Sequence, residues 1–268
     1  MSSLETAVAI LRCFSADQPE LAVSVVAKQV DIPKSTVSRL MRAMVEQGLM
    51  EQDPESRRFR VGVLPFQLGQ LYHAHANLLD LVDAETAGLV EETGFTVYIG
   101  VLRGADIVIL RRRHGGYPVR MVLEPGIQMG AADTAFGKAL LARHSDAELR
   151  ALLPPVLVNE RSDTRRPIAS FLEELATVRR EGWASAQETF PGITAIGAAV
   201  GSGDNQPAVG FALSFPSNAV PAKDQKSMVA RVVGYAERIA AKSADPFYAA
   251  RLQAAAKSGV RAAPTISR

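Results

Sequence analysis

Apolar residues recur at helical spacing from the start of the chain, with two interruptions. Leu4, Val8, Leu11 and Cys13-Phe14 form one stripe, and Pro19 closes the connection behind it. A second apolar run, Leu21 to Val30, carries Val25, Val26 and Val30 at helical spacing. Asp31-Ile32-Pro33 ends it, because proline removes a donor and disfavours helix in the residue before it. Val37, Leu40, Met41, Met44 and Val45 then fall at i, i+3, i+4, i+7 and i+8, which predicts a third helix that stops at Gly48. Leu49–Gln52, the turn residues Asp53-Pro54-Glu55-Ser56, and Arg57–Val61 predict strand, turn, strand. Residues 64–94 return to helical periodicity, broken by polar positions into two helices, the first a linker.

From Phe95 the period shortens. Phe95–Arg103 and Ile107–Arg113 read as strands joined by a Gly104-Ala105-Asp106 hairpin, and Val119–Leu123 as a third strand. Thr134–Arg143 and Asp146–Leu153 predict helices, with Ser145 capping the second. Ile168–Glu181 is amphipathic. Ile193–Val200 and Ala208–Phe215 are apolar strands, with Gly201-Ser202-Gly203-Asp204-Asn205 as the turn after the first. Lys223–Lys242 is the last predicted helix, and the Ala-, Ser- and Arg-rich end reads as a frayed tail. The chain is therefore expected to be α+β. A helix-turn-helix with a basic hairpin as its wing spans 1–63, a linker helix 64–76, an α+β domain 77–245, and a flexible tail 246–268.

Composition narrows the function. With 47% hydrophobic and 22% charged residues among 268, the chain is an ordinary globular protein. No apolar run reaches the roughly 18 residues of a membrane span, and Met1-Ser2-Ser3-Leu4-Glu5 lacks the basic start of a signal peptide. The expected compartment is the cytoplasm, with no membrane partner. A single cysteine, Cys13, excludes a disulfide framework and a Cys-rich zinc site. His73 and His75 face different sides of a predicted helix, and His114 is a loop residue, so no metal and no cofactor are expected.

A net charge of +2 is no nucleic-acid signature, and residues 1–65 hold eight Lys/Arg and eight Asp/Glu, so only the arrangement of charge can argue for DNA. It does. On the third helix the positions expected to be exposed are Lys34, Ser35, Thr36, Ser38, Arg39 and Arg42, with no acid among them. The apolar stripe points away. Such a helix offers short hydroxyls and cations to a major groove, and Arg57, Arg58 and Arg60 form a basic wing. A single winged helix reads few base pairs, so a homodimer on a pseudo-palindromic double-stranded operator is expected, with the helix around Phe66–His75 as its dimer element. No G-x-S-x-G, P-loop, G-x-G-x-x-G or H-E-x-x-H occurs, and no nucleophile–base pair can be nominated, so the chain is not expected to be an enzyme. The alternative is a small-molecule sensing or enzymatic α+β domain whose winged helix contacts protein. The lack of aromatics across Lys34–Arg42 speaks against it.

The stretch Val26-Ala27-Lys28-Gln29-Val30-Asp31-Ile32-Pro33-Lys34-Ser35-Thr36-Val37-Ser38-Arg39-Leu40 resembles the winged helix-turn-helix of IclR-type transcription regulators, with Asp31 where glycine is common. Aspartate tolerates a left-handed backbone, so the turn can survive. Met129 through Ala142, containing Thr134-Ala135-Phe136-Gly137-Lys138-Ala139-Leu140-Leu141-Ala142, resembles that family's effector-domain signature. So do Glu181-Gly182-Trp183, Glu188, Gly192 through Ala198, and Ala212-Leu213-Ser214. The resemblance spans roughly residues 4 to 243. It implies a GAF-like second domain holding a small-molecule effector, expected to be an organic or aromatic acid, and dimers that can pair into tetramers. Carried over by position, the pocket wall is Met121, Met129, Ala135, Phe136, Ser185, Glu188, Ile193, Ala195 and Ser214. N–H groups near Thr134–Phe136 would receive the acid, and Gly137 would let the helix start pack closely on a strand; the alternative reading of Glu188 is a structural ion pair with one of Arg111–Arg113. The chain departs from the family at Gly130, Ala132, Pro216 and Ser217, and Phe136 is bulkier than the residue common there. The effector's identity is therefore not transferred.

Overall fold

The computed structural model describes residues 2–15, 18–74, 77–118, 121–159, 164–187, 189–203 and 207–257. They fall into two compact units, Met1–Ala76 and Asn77–Arg268.

The first unit runs α1 (Ser3–Leu11), β1 (Glu20–Leu21), α2 (Val23–Val30), α3 (Lys34–Glu46), β2 (Met50–Gln52), β3 (Phe59–Val61) and α4 (Val63–Ala74). α1 opens with a capping box: Ser2 Oγ accepts from the Glu5 N–H and the Glu5 carboxylate accepts from the Ser2 N–H. Of the expected stripe, Leu11, Cys13 and Phe14 pack against the core of this unit and Leu4 and Val8 do not. Ile10 and Thr6 are buried, while Leu4 is 75% exposed and Val8 38%. The core of this unit has room for only a narrow stripe of α1, because Val26, Val37, Met41, Met44, Met50 and Phe59 already fill it. Leu21, expected in a helix, sits in β1, where it pairs with Phe59 across a three-stranded sheet ordered β1-β3-β2. Asp31 adopts φ 53°, ψ 48° at the end of α2, the left-handed turn its side chain tolerates.

The second unit contains α5 (Asn77–Thr93), β4 (Thr96–Arg103), β5 (Asp106–Arg113), β6 (Gln128–Gly130), a 3-10 turn (Ala131–Asp133), α6 (Ala135–Leu141), α7 (Asp146–Leu152), β7 (Val156–Asn159), β8 (Thr164–Pro167), α8 (Ile168–Glu181), β9 (Ala184–Ala186), β10 (Ile193–Val200), β11 (Val209–Pro216), α9 (Ala222–Ser243) and α10 (Pro246–Lys257). Six strands form one antiparallel sheet ordered β6-β5-β4-β11-β10-β9. Alternation along β11 divides its sides. Gly210, Ala212 and Ser214 face α6, and Phe211, Leu213 and Phe215 face the opposite side, where Phe215 meets Phe95. Ser145 caps α7 with a full capping box, as expected.

Two expectations are corrected. Of the strand expected at Val119–Leu123, 119 and 120 lie outside the described residues, and 121–123 are irregular. The third strand is β6, and Tyr98 holds the intervening chain by accepting a hydrogen bond from the Leu123 N–H at 3.3 Å. The expected tail from 246 begins instead with a helix, and 258–268 lie outside the described residues. α10 is docked because Tyr248 is buried and donates to the Gly182 carbonyl, while Arg251 reaches the Glu181 carbonyl and the Glu237 carboxylate. The buried Asp245 joins this end to the sheet, accepting both nitrogens of Arg143 at 2.8 and 2.9 Å and the Gly201 N–H at 2.7 Å.

Candidate functional site

On α3, Val37, Met41 and Met44 are buried, and Lys34, Ser35, Thr36, Arg39 and Arg42 are exposed, with Ser38 half-buried. Arg42 donates to Ser38 Oγ at 3.0 Å, one turn back. Between β2 and β3 the Asp53 carboxylate accepts from the Ser56 and Glu55 N–H groups, and these bonds, those from Ser56 foremost, hold it below the usual carboxylate range. Arg57 takes a left-handed φ of 59° there. Arg57 and Arg58 are exposed and make no ion pair among the described residues. Arg60 differs. Its register partners are Glu20 and Glu51, and its guanidinium reaches both carboxylates, at 3.5 and 2.9 Å. That charge ties the small sheet together, which spacing along the chain does not disclose. Cys13 donates weakly to the Ala9 carbonyl, and burial pushes its thiol up, consistent with an inert packing role.

In the second unit a cavity of about 440 Å³, its open mouth included, lies between the sheet and α6. Met121, Met129, Ala135, Phe136, Ile193, Ala195 and Ser214 all line it. Thr134, expected at the effector's acid end, lines it too, and the sequence reading missed Tyr98, Ile109 and Leu123 as well as Ala186, Thr189, Phe190 and Ala212. Ala212 stands two residues before Ser214 in the motif, so strand alternation was a usable signal for it. For Tyr98 and Leu123 the link is a hydrogen bond across 25 residues, which no local pattern carries.

Ser185 is not among the cavity residues. It lies beside a second, polar cleft with Lys138, Arg165, Arg166 and Glu174. β9 alternates there, turning Ala186 into the cavity and Ser185 away from it. Lys138 donates to Glu174 at 2.8 Å and to the Ser185 carbonyl at 3.0 Å, and Arg166 also pairs with Glu174. Burial pushes the Glu174 carboxyl up, but the two cations outweigh it and leave it below its ordinary value. Glu188 lies outside the described residues. Arg111 meets Asp80 and Asp83, Arg113 meets Asp83, and Arg112 meets Glu124.

The helix start is built by glycines, though not as expected. Gly137 makes room for the Ala131 carbonyl and Thr134 Oγ1 of its own preceding turn, while the close approach to a strand belongs to Gly197 of β10, against the Phe136 nitrogen. Gly100 and Gly210, paired across β4 and β11, leave the space that the Phe136 ring occupies. The bulk of Phe136 is thus matched by two missing side chains. Thr134 caps α6, accepting from the Gly137 N–H at 3.2 Å.

A winged helix with a basic face and a second domain with an apolar cavity together define a ligand-responsive DNA-binding regulator. The helix-turn-helix description of IclR proteins matches residues 3–54, and that of the bacterial transcriptional regulator IclR C-terminal domain matches residues 70–241. The chain belongs to the IclR family of transcriptional regulators. It is 34% identical over 180 residues to the HTH-type transcriptional regulator TtgV of Pseudomonas putida, covering 67% of this chain and 68% of that one. It is 30% identical over 204 residues to the glycerol operon regulatory protein of Streptomyces coelicolor, covering 75% and 79%. Among solved structures, the fold is shared with the IclR regulator of Alicyclobacillus acidocaldarius (TM-score 0.76, 22% identity, 90% of this chain and 98% of that one). It is also shared with an IclR homologue of Microbacterium hydrocarbonoxydans complexed with 4-hydroxybenzoate (TM-score 0.73, 19% identity, 89% and 97%). DNA is bound through the helix-turn-helix, and the C-terminal domain is the effector-binding one. No helix among the described residues is long and apolar enough to cross a membrane.

Proposed function

We propose that this chain is a cytoplasmic repressor that acts as a homodimer or homotetramer, is not an enzyme, and releases or grips its operator according to a small organic effector in the cavity under α6. The observation that carries the reading is the face of α3. Lys34, Ser35, Thr36, Arg39 and Arg42 are exposed together without an acid, over a buried Val37/Met41/Met44 stripe. That face would enter the major groove, with Arg57 and Arg58 of the wing on the backbone and Arg60 contributing mainly to the wing's own sheet. Self-association is supported by apolar side chains left exposed in the first unit, Leu4 on α1 and Phe66, Leu68 and Leu71 on α4. The functional division is then 1–63 for DNA, 64–76 as linker and 77–245 for the effector, with α10 appended. The 4-hydroxybenzoate bound by the Microbacterium homologue supports an aromatic acid as the kind of effector. Selection of bound duplexes from a random library, followed by a salt titration of the winner, tests the reading. A two-fold symmetric consensus and an affinity that falls steeply with salt are expected. Failure to enrich any sequence would refute it.

A further inference from the structure

The walls of the cavity under α6 are fastened in different ways. β4, β5, β9, β10 and β11 are joined through backbone ladders, and α6 meets β10 in backbone contact at Gly197. One stretch of the wall has neither. Met121 and Leu123 line the cavity from a strap, residues 121–125, that belongs to no helix or strand. Among the described residues, no backbone group of Met121, Val122 or Leu123 bonds to another backbone group. Two side chains hold them instead. The Tyr98 hydroxyl donates to the Met121 carbonyl and accepts from the Leu123 N–H. Arg112 Nη1 donates to the Leu123 carbonyl at 3.0 Å and to the Glu124 carboxylate at 2.8 Å. Tyr98 and Arg112 are register partners across β4 and β5, so both project from the cavity side of the sheet. Behind the strap the chain is anchored again. Gly126, at φ 95°, donates to the Ile109 carbonyl at 2.7 Å, and the Ile109 N–H donates to the Ile127 carbonyl at 3.0 Å.

A wall segment held by side chains opens at the cost of those bonds alone, whereas a strand in a ladder opens only with its neighbours. Val122 points to solvent, so Met121 and Leu123 are the apolar side chains the strap commits to the cavity. A second irregular stretch of wall, Thr189 and Phe190, is better tied. Thr189 donates to the Asp133 carbonyl, and the Phe190 carbonyl accepts a backbone bond from the Ile193 N–H. We propose that residues 121–125 are the gate of the cavity, with Tyr98 and Arg112 as its catch, a role that rests on reading this cavity as the effector site. Swinging about Gly126 frees Met121 and Leu123 from the wall and breaks no ladder bond of the sheet. Arg112 does not line the cavity, so it is a positioning residue that acts on a ligand through the strap.

Access to the cavity can be read without an identified effector, by placing a thiol inside it. Ala212 lines the cavity and is buried, and Cys13, the single native cysteine, lies in the first unit and serves as reference. In the full chain carrying Ala212→Cys, methyl methanethiosulfonate labels both thiols, and peptide masses give the two rates. Adding Tyr98→Phe or Arg112→Met is expected to speed labelling at position 212 about tenfold relative to Cys13, because each removes two hydrogen bonds from the strap. Glu124→Gln, which keeps the Arg112 bond to the Leu123 carbonyl, should give about threefold. Thr189→Val should leave the ratio unchanged. Ala195→Cys, which also lines the cavity, should repeat the pattern and replaces Ala212→Cys if that variant does not fold. A ratio indifferent to Tyr98→Phe and Arg112→Met overturns the proposal, as does acceleration by Thr189→Val alone or an equal rise at both thiols. The underlying reading fails separately: labelling follows the catch, yet Ala135→Trp leaves the operator response to ligand unchanged, and the strap then gates no effector.

Discussion

A methyl group on Gly197 would lie 2.5 Å from the backbone nitrogen of Phe136. Strand β10 and the start of α6 are therefore in backbone contact, and the cavity roof is held at a height that no side chain permits. Gly197→Ala is expected to lift α6 and cost about 1–3 kcal/mol, the usual range for forcing atoms into a packed interior. Urea unfolding measures the loss, and the same variant should bind ring-sized ligands more weakly.

For DNA, Arg39→Ala should weaken operator binding by about 1–3 kcal/mol and relax the preference at one base position, as for a residue reading a base edge. Arg58→Ala should weaken all sequences alike and flatten the salt dependence by about one unit. Arg60→Ala is expected to leave that slope nearly unchanged, because its guanidinium is already held by Glu20 and Glu51. Anisotropy titrations at several salt concentrations separate the three. Full operator affinity in a folded Arg39→Ala/Arg42→Ala protein would sink the assignment of α3.

Ala135→Trp is expected to fill the cavity, so that operator affinity no longer changes when ligand is added. A ligand shifts an equilibrium only through differential affinity for its states, and a filled cavity removes that difference. An unchanged ligand response in a protein with native circular dichroism would place the effector elsewhere.

Asp245 predicts a pH dependence. Burial pushes its carboxyl up, but hydrogen bonds from Arg143 and the Gly201 N–H, with the Arg143 charge, outweigh this and hold it below the ordinary carboxylate range. A folded value below the unfolded one stabilises the protein above the unfolded value of about 3.9, and that contribution disappears as pH falls through the folded value. The stability difference between wild type and Asp245→Asn should be constant from pH 5 to 8 and shrink below pH 4. Arg143→Met, which leaves the carboxylate buried and without its cation, should cost about 3–5 kcal/mol at pH 7. Urea denaturation across this pH range checks both.

What could be read from the chain depends on which interactions are local. α3 and its exposed cations were legible because five apolar residues keep one helical phase over nine positions. β10 was legible to the residue because a run of apolar and small residues, with Thr194 its one polar member, ends at Gly201. β5 shows where this fails. Its pairing with β4 runs Gly100 to Ile109 and Ile99 to Arg111, leaving Leu110 as an extra residue. That bulge reverses the alternation, so Ile109 faces the cavity while Arg111 and Arg113 turn to Asp83 on α5. No periodicity announces it. The roles of Arg60 and Ser185 were obscure for a related reason. One depends on strand register and the other on which face of a short edge strand it occupies, and both are set by partners distant in sequence.

The middle of the large sheet joins β4 to β11, with Thr96 opposite Ser214. Closing that pair spans well over a hundred residues, and the entropy of closure must be met before any of the pairing is rewarded. The β4–β5 hairpin can form at once, but the other edge of β4 waits for β11, the last of the described strands to be made. On the ribosome the winged helix, which belongs to a compact unit of its own, is complete long before the effector domain. A newly made chain therefore carries its DNA-reading surface for a time before it has a working sensor.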